Sequence, residues 1–299
     1  MRKMPFEWRI VKDGYPKPLF QRHSRSTTET VHTFWNDAGV GDPTVLTVWA
    51  EHWARHGWMP RVLGVGAAAA HPSFDRLCGE YEKLPTINPK SYTMNNLLRW
   101  LAIEAVGGSW MADYDTITFA PPPLSLPNDG SLTVHSGPTP AVVSGSPREF
   151  GRVAELFASF YSSATASQKH RCFMQAGRPH VSDQPLLDCV RRLDLVKSTN
   201  WVDRLGEEPY LARKPSSCPF NVNVSQPPVR AGHFSHHSYS QLLAKLRGDE
   251  SVRCICGAPW VRIFGANKSH PANSHFRATL VKTCADFWDA ACTVPHVGC

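Results

Sequence analysis

Two aspartates, Asp113 and Asp115, flank a single tyrosine directly after a short apolar segment. Residues two apart share one face of an extended chain, so both carboxylates can point to the same side where a strand ends in a turn. Such a pair can hold Mg²⁺ or Mn²⁺ and leave coordination positions open for phosphate oxygens. The pair therefore predicts a divalent-metal site for a phosphate-containing substrate.

The segment before the pair supplies the context that an isolated Asp-x-Asp lacks. Leucines and alanines at helical spacing predict a helix over residues 95–106, and Gly107 and Gly108 end it. Residues 109–112 then form a short apolar strand that ends at the carboxylates. A helix that leads into a buried strand, with acids at its carboxyl end, is typical of ligand sites in open α/β sheets.

The first hundred residues predict further alternation of strands and helices. Residues 31–35 and 61–65 are candidates for buried strands, and residues 45–58 between them have the apolar spacing of a helix. This strand–helix–strand order predicts an α/β fold with a mixed, mostly parallel sheet flanked by helices. The Pro- and Ser-rich residues 200–228 predict a loop-rich C-terminal region.

Three histidines close together form the second candidate site. On an extended segment His233 and His237 share one face, and His236 lies on the other. No more than two of them can then face one metal ion without a turn. Two hypotheses stay open: one histidine joins the aspartate site, or the three form a transition-metal site of their own.

The residues around the aspartates resemble a known enzyme family. Arg99, Gly107-Gly108, Trp110 and Asp113-x-Asp115 are similar to the signature of Asp-x-Asp sugar-nucleotide glycosyltransferases with the GT-A fold. That group includes the yeast initiating α-1,6-mannosyltransferase and the α-1,4-galactosyltransferases. This chain has one more residue between the glycines and the first aspartate, for which we expect a bulge in the strand. Asn96 also stands where the family usually has an aspartate.

The resemblance implies a role for each candidate residue. Asp113 and Asp115 would bind Mn²⁺ or Mg²⁺, with His233 as the third protein ligand. Asp183, at a helix start where it could also act as a cap, would lie at the active site and is the candidate catalytic carboxylate. Contacts to the nucleoside diphosphate sugar would come from Phe34, Trp35, Arg99, Asp113 and His236.

Composition narrows the classes of protein that fit. The 299 residues carry a net charge of +7, but the basic residues are scattered, which argues against a nucleic-acid-binding protein. No segment has the roughly twenty apolar residues that cross a bilayer. The nine cysteines include one Cys-x-Cys, at Cys254 and Cys256, which is a poor match to the paired ligands of structural zinc, and reduced thiols are expected. The chain as given suggests the cytoplasm, or the secretory-pathway lumen if an anchor has been removed.

The sequence therefore predicts a single glycosyltransferase domain over residues 1–299. The nucleotide-sugar-binding half would cover residues from about 28 to 120. The acceptor-binding half, which includes the histidine segment, would cover residues from about 121 to 299. The expected reaction moves a sugar, with retention of configuration, from a UDP- or GDP-sugar to a hydroxyl acceptor, expected to be a glycan. The alternative is a non-catalytic relative that binds a sugar nucleotide or a glycan.

Overall fold

The computed structural model describes residues 29–36, 43–118, 121–136, 139–175, 177–199, 202–204 and 231–233, together with short isolated segments near both ends of the chain. The helices are α1 (Pro43–Arg55), α2 (Val65–Ala69), α3 (Phe74–Glu82), α4 (Lys90–Ala105), α5 (Pro147–Ser163), α6 (Ala166–Phe173) and α7 (Asp183–Arg192), with a 3₁₀ turn at Pro127–Gly130. The strands up to residue 145 are β1 (Arg9–Ile10), β2 (Pro16–Lys17), β3 (Thr30–Phe34), β4 (Met59–Leu63), β5 (Ser109–Ala112), β6 (Thr116–Thr118), β7 (Thr133–Val134) and β8 (Val142–Gly145). The later strands are β9 (Met174–Gln175), β10 (Arg178–Pro179), β11 (Lys197–Ser198), β12 (Val202–Arg204), β13 (Ala231–His233), β14 (Cys254–Ile255) and β15 (Ala258–Pro259).

Six strands form the main sheet in the order β11-β7-β8-β5-β3-β4. The pairs β3–β4, β3–β5 and β11–β7 are parallel, whereas β8 is antiparallel to both of its neighbours. The architecture is therefore α/β, with a mixed, mostly parallel sheet flanked by helices, as the sequence predicts.

Side chains that alternate along the central strands supply two hydrophobic cores. Trp110 and Ala112 of β5 pack on one face with the tryptophans of α1, and Met111 packs on the other face with α4 and α5. This alternation is the period of two that a strand buried on both faces requires. The strand that leads to the aspartates is thus fixed from both sides.

A small second sheet, in the order β12-β13-β6, brings the histidine segment to the aspartates. β13 is antiparallel to β6, and in this register His233 lies opposite Thr116, the residue after Asp115. β13 is extended from Ala231 to His233. His236 and His237 lie outside the described residues.

The turn before β5 corrects one expectation. The pairing of β5 with β8 is continuous from Ser109 to Ala112, so the strand contains no bulge. Instead, Gly107, Gly108 and Ser109 all have positive φ, at 102°, 73° and 92°. The left-handed backbone thus covers the two glycines, for which it is accessible, and the first residue of the strand.

A disulfide between Cys172 of α6 and Cys189 of α7 corrects the expectation of reduced thiols. The two cysteines are 17 residues apart in sequence, and they meet because each lies on one of two helices that pack together. No helix in the described part of the chain has the length and apolar content needed to span a bilayer.

Candidate functional site

A tight turn at the end of β5 places the two aspartates. The Asp113 amide donates to the Ala141 carbonyl at 2.9 Å, which extends the β5–β8 ladder by one residue. The Thr116 amide then donates to the Asp113 carbonyl at 2.9 Å and closes a four-residue turn that contains both acids. The aspartates therefore sit where a buried strand ends.

His233 completes a group of three possible metal ligands. Its Nε2 lies 3.3 Å from Asp115 Oδ1 and 3.7 Å from Asp113 Oδ2. One ligand atom from each residue falls within 4.8 Å of the other two. Ligands about 2.1 Å from a six-coordinate ion are roughly 3 Å apart at adjacent positions, so the spacing fits one small divalent cation. The sequence prediction of this ligand set is compatible with the geometry.

Arg99 joins this group to a helix on the far side of the site. The residue lies in α4 and is 9% exposed. Its Nη1 donates to Asp113 Oδ1, and its Nη2 donates to Asp183 Oδ2. Asp183 is the first residue of α7 and is 2% exposed. Arg99 thus connects Asp113 to Asp183, and all three are predicted site residues.

The electrostatics of the site follow from burial and from charge pairing. Burial by itself disfavours the Arg99 cation, but Asp183 and Asp113 outweigh it and raise the pKa of Arg99. Burial raises the pKa of Asp113; Arg99 opposes this effect and the neighbouring Asp115 carboxylate reinforces it. Arg99 thus offsets part of the cost of burying the Asp113 charge, and the nearby Asp115 adds to that cost.

Two buried polar atoms near the aspartates have no hydrogen-bond partner among the described residues. They are Arg99 Nε and the hydroxyl of Thr116, which is fully buried. Most buried polar atoms in folded proteins are hydrogen-bonded to protein or to water. These two atoms therefore need a partner such as an ordered water.

The two aromatic residues predicted to contact the donor, Trp35 and Phe34, pack against different parts of the structure. Trp35, at the end of β3, packs edge-to-face on Tyr114 between the two aspartates, with ring centroids 5.1 Å apart. Phe34 is half-buried and packs against the core on the α4 side of the sheet. The structure thus brings Trp35, but not Phe34, into contact with the aspartate turn.

Hydrogen bonds along α4 add residues that the sequence patterns did not reveal. The Asn36 side chain, just after β3, donates to Asn95 Oδ1 at 2.9 Å. Tyr92 and Asn96 lie on the same face of this helix, one turn apart. Tyr92, Asn96 and Arg99 follow one another at helical spacing. The sequence did not reveal this spacing because the predicted helix begins at residue 95, after Tyr92.

Tryptophan side chains hold the turn against α1. The indole Nε1 of Trp53 donates to the Thr116 carbonyl at 2.8 Å, directly after the aspartate turn. Trp53 also packs on Trp58, which packs on Trp110 of β5. Rigid packing of this kind keeps charged ligands in position before an ion binds.

No family model and no curated protein matches this chain. The resemblance to glycosyltransferases therefore rests on its motif residues.

Proposed function

We propose that the protein is a metal-dependent glycosyltransferase that moves a sugar from a nucleoside diphosphate sugar to a hydroxyl acceptor. The observation that carries this proposal is the convergence of Asp113, Asp115 and His233 at the end of a central strand. Two carboxylates and one imidazole on one side of an ion leave the opposite side for phosphate oxygens.

The charge balance supports a divalent cation. Among the described residues, three carboxylates of this site (Asp113, Asp115 and Asp183) face one guanidinium, that of Arg99. With His233 neutral, two negative charges are in excess, which one divalent ion would offset. Carboxylate and imidazole ligands suit Mn²⁺, and Mg²⁺ fits the carboxylates.

A cation held by Asp113, Asp115 and His233 would stabilise the negative charge that develops on the diphosphate as the sugar leaves. In the transfer, the bond between the anomeric carbon and the phosphate oxygen breaks, and a bond to the acceptor oxygen forms. The proton of the acceptor hydroxyl would pass to the departing phosphate oxygen, which keeps the electron pair of the broken bond. Arg99 would bind the donor, and Trp35 and Phe34 remain our candidates for the side of the nucleotide base. His236 remains a proposed diphosphate contact.

Asp183 is our candidate for the catalytic carboxylate, and the resemblance favours retention of configuration. Its contact with Arg99 also supports a second candidate function. A carboxylate that is 2% exposed and paired with a guanidinium is poorly placed to accept a proton or approach a substrate. If this pairing persists with substrate bound, the protein is a sugar-nucleotide or glycan binder without catalysis.

The disulfide between Cys172 and Cys189 is relevant to the cellular compartment in which the protein works. Disulfides persist in oxidising compartments and are rare in the cytosol. The pair Cys172–Cys189 therefore favours our second proposal for location, the secretory-pathway lumen, over the cytoplasm.

Hydrolysis of the donor without an acceptor tests the proposed reaction. A panel of UDP- and GDP-sugars should give at least one that the protein hydrolyses slowly when Mn²⁺ is present. Asp115→Asn should abolish this activity because it removes a metal ligand.

Asp194→Asn is the matched control, since Asp194 is exposed and has a φ of 55° that asparagine tolerates. This substitution should leave the rate of hydrolysis unchanged. If no donor is hydrolysed but nucleoside diphosphates still bind with Mn²⁺, the non-catalytic alternative stands.

A further inference from the structure

The first turn of α4 carries an exposed aromatic residue next to the buried charges. Tyr92 is 43% exposed, as is Ile87 in the loop just before the helix. Most of the later apolar residues of α4, such as Leu97 and Trp100, are buried. Apolar groups this exposed at the entrance of a charged site are candidates for contact with a ligand.

Tyr92 lies on the face of α4 that carries the site. Tyr92, Asn96 and Arg99 are four and three residues apart, so their side chains align along the helix. At 1.5 Å per residue, Tyr92 is about 10 Å along the axis from Arg99. The ring of Tyr92 therefore lies on the same side of α4 as the buried Arg99, two helical turns before it.

The loop before α4 is held rigidly to the segment that leads to Asp183. The Val181 amide donates to the Pro85 carbonyl at 2.8 Å, and the Ile87 amide donates to His180 Nδ1 at 3.3 Å. Thr86 bonds to the same imidazole nitrogen at 3.2 Å. Ile87 and Tyr92 therefore keep a fixed position relative to Asp183, as a preformed binding surface requires.

Asn96 stands about one helical turn after Tyr92, so its side chain lies on the same face of α4 as the phenol ring. An amide beside the ring offers a hydrogen-bonding group to a polar ligand that packs there.

We propose that Tyr92 and Ile87 form the acceptor subsite, with the Tyr92 ring packed against the apolar C–H face of an acceptor sugar. This inference rests on the proposed function and adds the residues that select the acceptor. A pyranose has an apolar face and a rim of hydroxyls, which matches an aromatic ring bordered by an amide and by buried carboxylates. A straight-chain aliphatic alcohol would have no ring face to pack on Tyr92.

Binding of simple glycosides tests the subsite without any need to know the donor. The full-length protein with Mn²⁺ and UDP or GDP is titrated with methyl α- and β-hexopyranosides and with disaccharides, and binding is followed by ligand-observed NMR. At least one glycoside should bind. Tyr92→Ala should weaken its binding at least about tenfold because the ring contact is lost. Tyr92→Phe should retain most of the affinity because the ring remains.

Val106→Ala is the control for removing an exposed apolar side chain from the same helix. Val106 is 39% exposed and lies just beyond the other end of α4, about 21 Å from Tyr92 along the axis. This variant should bind the glycoside as the wild type does. In every variant, stabilisation by nucleoside diphosphate with Mn²⁺ should persist, which shows that the fold and the metal site are intact.

Two results would overturn the subsite. One is a Tyr92→Ala variant that binds the glycoside as tightly as the wild type. The other is a wild type that binds no glycoside, or binds only a serine- or threonine-containing peptide, while Mn²⁺ and nucleoside diphosphate still stabilise it. In both cases the proposed function survives. Loss of the Mn²⁺-dependent nucleotide effect in the wild type would instead remove the proposed function itself.

Discussion

Arg99 binds two carboxylates that come from distant parts of the chain. It contacts Asp113 at the end of β5 and Asp183 at the start of α7, and all three side chains are largely buried. A buried ion pair contributes little net stability, but the loss of one partner leaves an uncompensated charge. The guanidinium therefore limits the repulsion among the carboxylates before a metal ion binds.

Replacement of Arg99 should expose this role. We expect Arg99→Met to lower the free energy of unfolding by about 3–5 kcal/mol in EDTA, since the two carboxylates lose their cation. Saturating Mn²⁺ should restore more stability to this variant than it adds to the wild type. Urea denaturation with and without Mn²⁺ measures both effects.

Arg76→Met is the control, because Arg76 pairs with Glu155 where both side chains are about half exposed. It should cost less than about 1 kcal/mol and show no unusual response to Mn²⁺. Equal losses in the two variants would mean that Arg99 is not balancing the charge of the site.

At the scale of elements, the turn between α4 and β5 determines where the aspartates lie. Gly108 has a φ of 73°, and a Cβ there would lie 2.4 Å from the backbone nitrogen of Pro147 at the start of α5. Gly107 also has positive φ, but a Cβ at that residue would meet no atom within 4 Å. Of these two glycines, Gly108 alone is therefore required both by conformation and by the close approach of α5.

The two glycines should differ when each is replaced by alanine. Gly107→Ala should cost about 1–2 kcal/mol because of the left-handed backbone. Gly108→Ala should cost roughly 3 kcal/mol or more, since backbone overlap is added, and it should also weaken Mn²⁺ binding by shifting β5. Urea denaturation and Mn²⁺ titration test both statements.

Gly79→Ala, inside α3, is the matched control because its Cβ would meet no atom within 4 Å. It should stabilise the protein by up to about 1 kcal/mol through helix propensity. A Gly108→Ala variant as stable as Gly107→Ala would contradict the close contact with Pro147.

The central strand β3 carries a buried histidine that should make stability depend on pH. His32 donates from Nδ1 to the Trp110 carbonyl of β5 at 3.1 Å. Burial lowers the pKa of His32 to about 4; the bond to Trp110 opposes this, and the positive charge of Arg61 lowers the pKa further. In the unfolded chain the pKa of histidine is about 6.5.

The unfolded state therefore binds a proton that the folded state excludes between these two pKa values. The contribution of His32 to the free energy of unfolding should be fully present above about pH 6.5. It should fall by up to about 3 kcal/mol as the pH drops towards 4. His32→Asn keeps a donor near the position of Nδ1 and does not titrate, so it should reduce this slope. Urea denaturation at several pH values in EDTA measures how the free energy of unfolding depends on pH. An equally steep slope in the variant would assign the acid sensitivity to other groups.

At the scale of the whole molecule, the sequence is most informative where local patterns coincide with the site. The apolar segment before Asp113, the two glycines and the extended chain at His233 each determine local geometry. These patterns predict the α/β class, the strand that ends at the acids and the two aspartate ligands, whereas His233 as the third ligand comes from the resemblance. The pairing of β13 with β6, which unites them, depends on contacts between residues more than 110 positions apart.

Local sequence patterns do not predict every feature of the structure. The small residues of the segment 162–167 favour an exposed turn, yet α6 begins at Ala166. The available signal is Thr165 followed three residues later by Gln168, a capping box that the structure contains. The Arg99–Asp183 pair cannot be predicted because no local pattern shows which helix start lies beside α4.

Packing between helices also limits what the sequence alone can predict. The disulfide between Cys172 and Cys189 arises because α6 and α7 pack together, and cysteine spacing by itself does not reveal that packing. The exposed position of Tyr92 likewise follows from the start of α4 at Lys90, five residues before the predicted start.

The central claim is that Asp113, Asp115 and His233 hold one divalent cation that a nucleoside diphosphate then contacts. Electron paramagnetic resonance of free Mn²⁺ during a titration measures this binding directly, with and without UDP or GDP. We predict one Mn²⁺ per chain in the wild type and in the Asp194→Asn control, with tighter binding when the nucleotide is present. Asp115→Asn and His233→Ala should each weaken Mn²⁺ binding about tenfold or more, since each removes a ligand. Wild-type Mn²⁺ affinity in Asp115→Asn, or a nucleotide affinity that is the same in EDTA, would contradict the account.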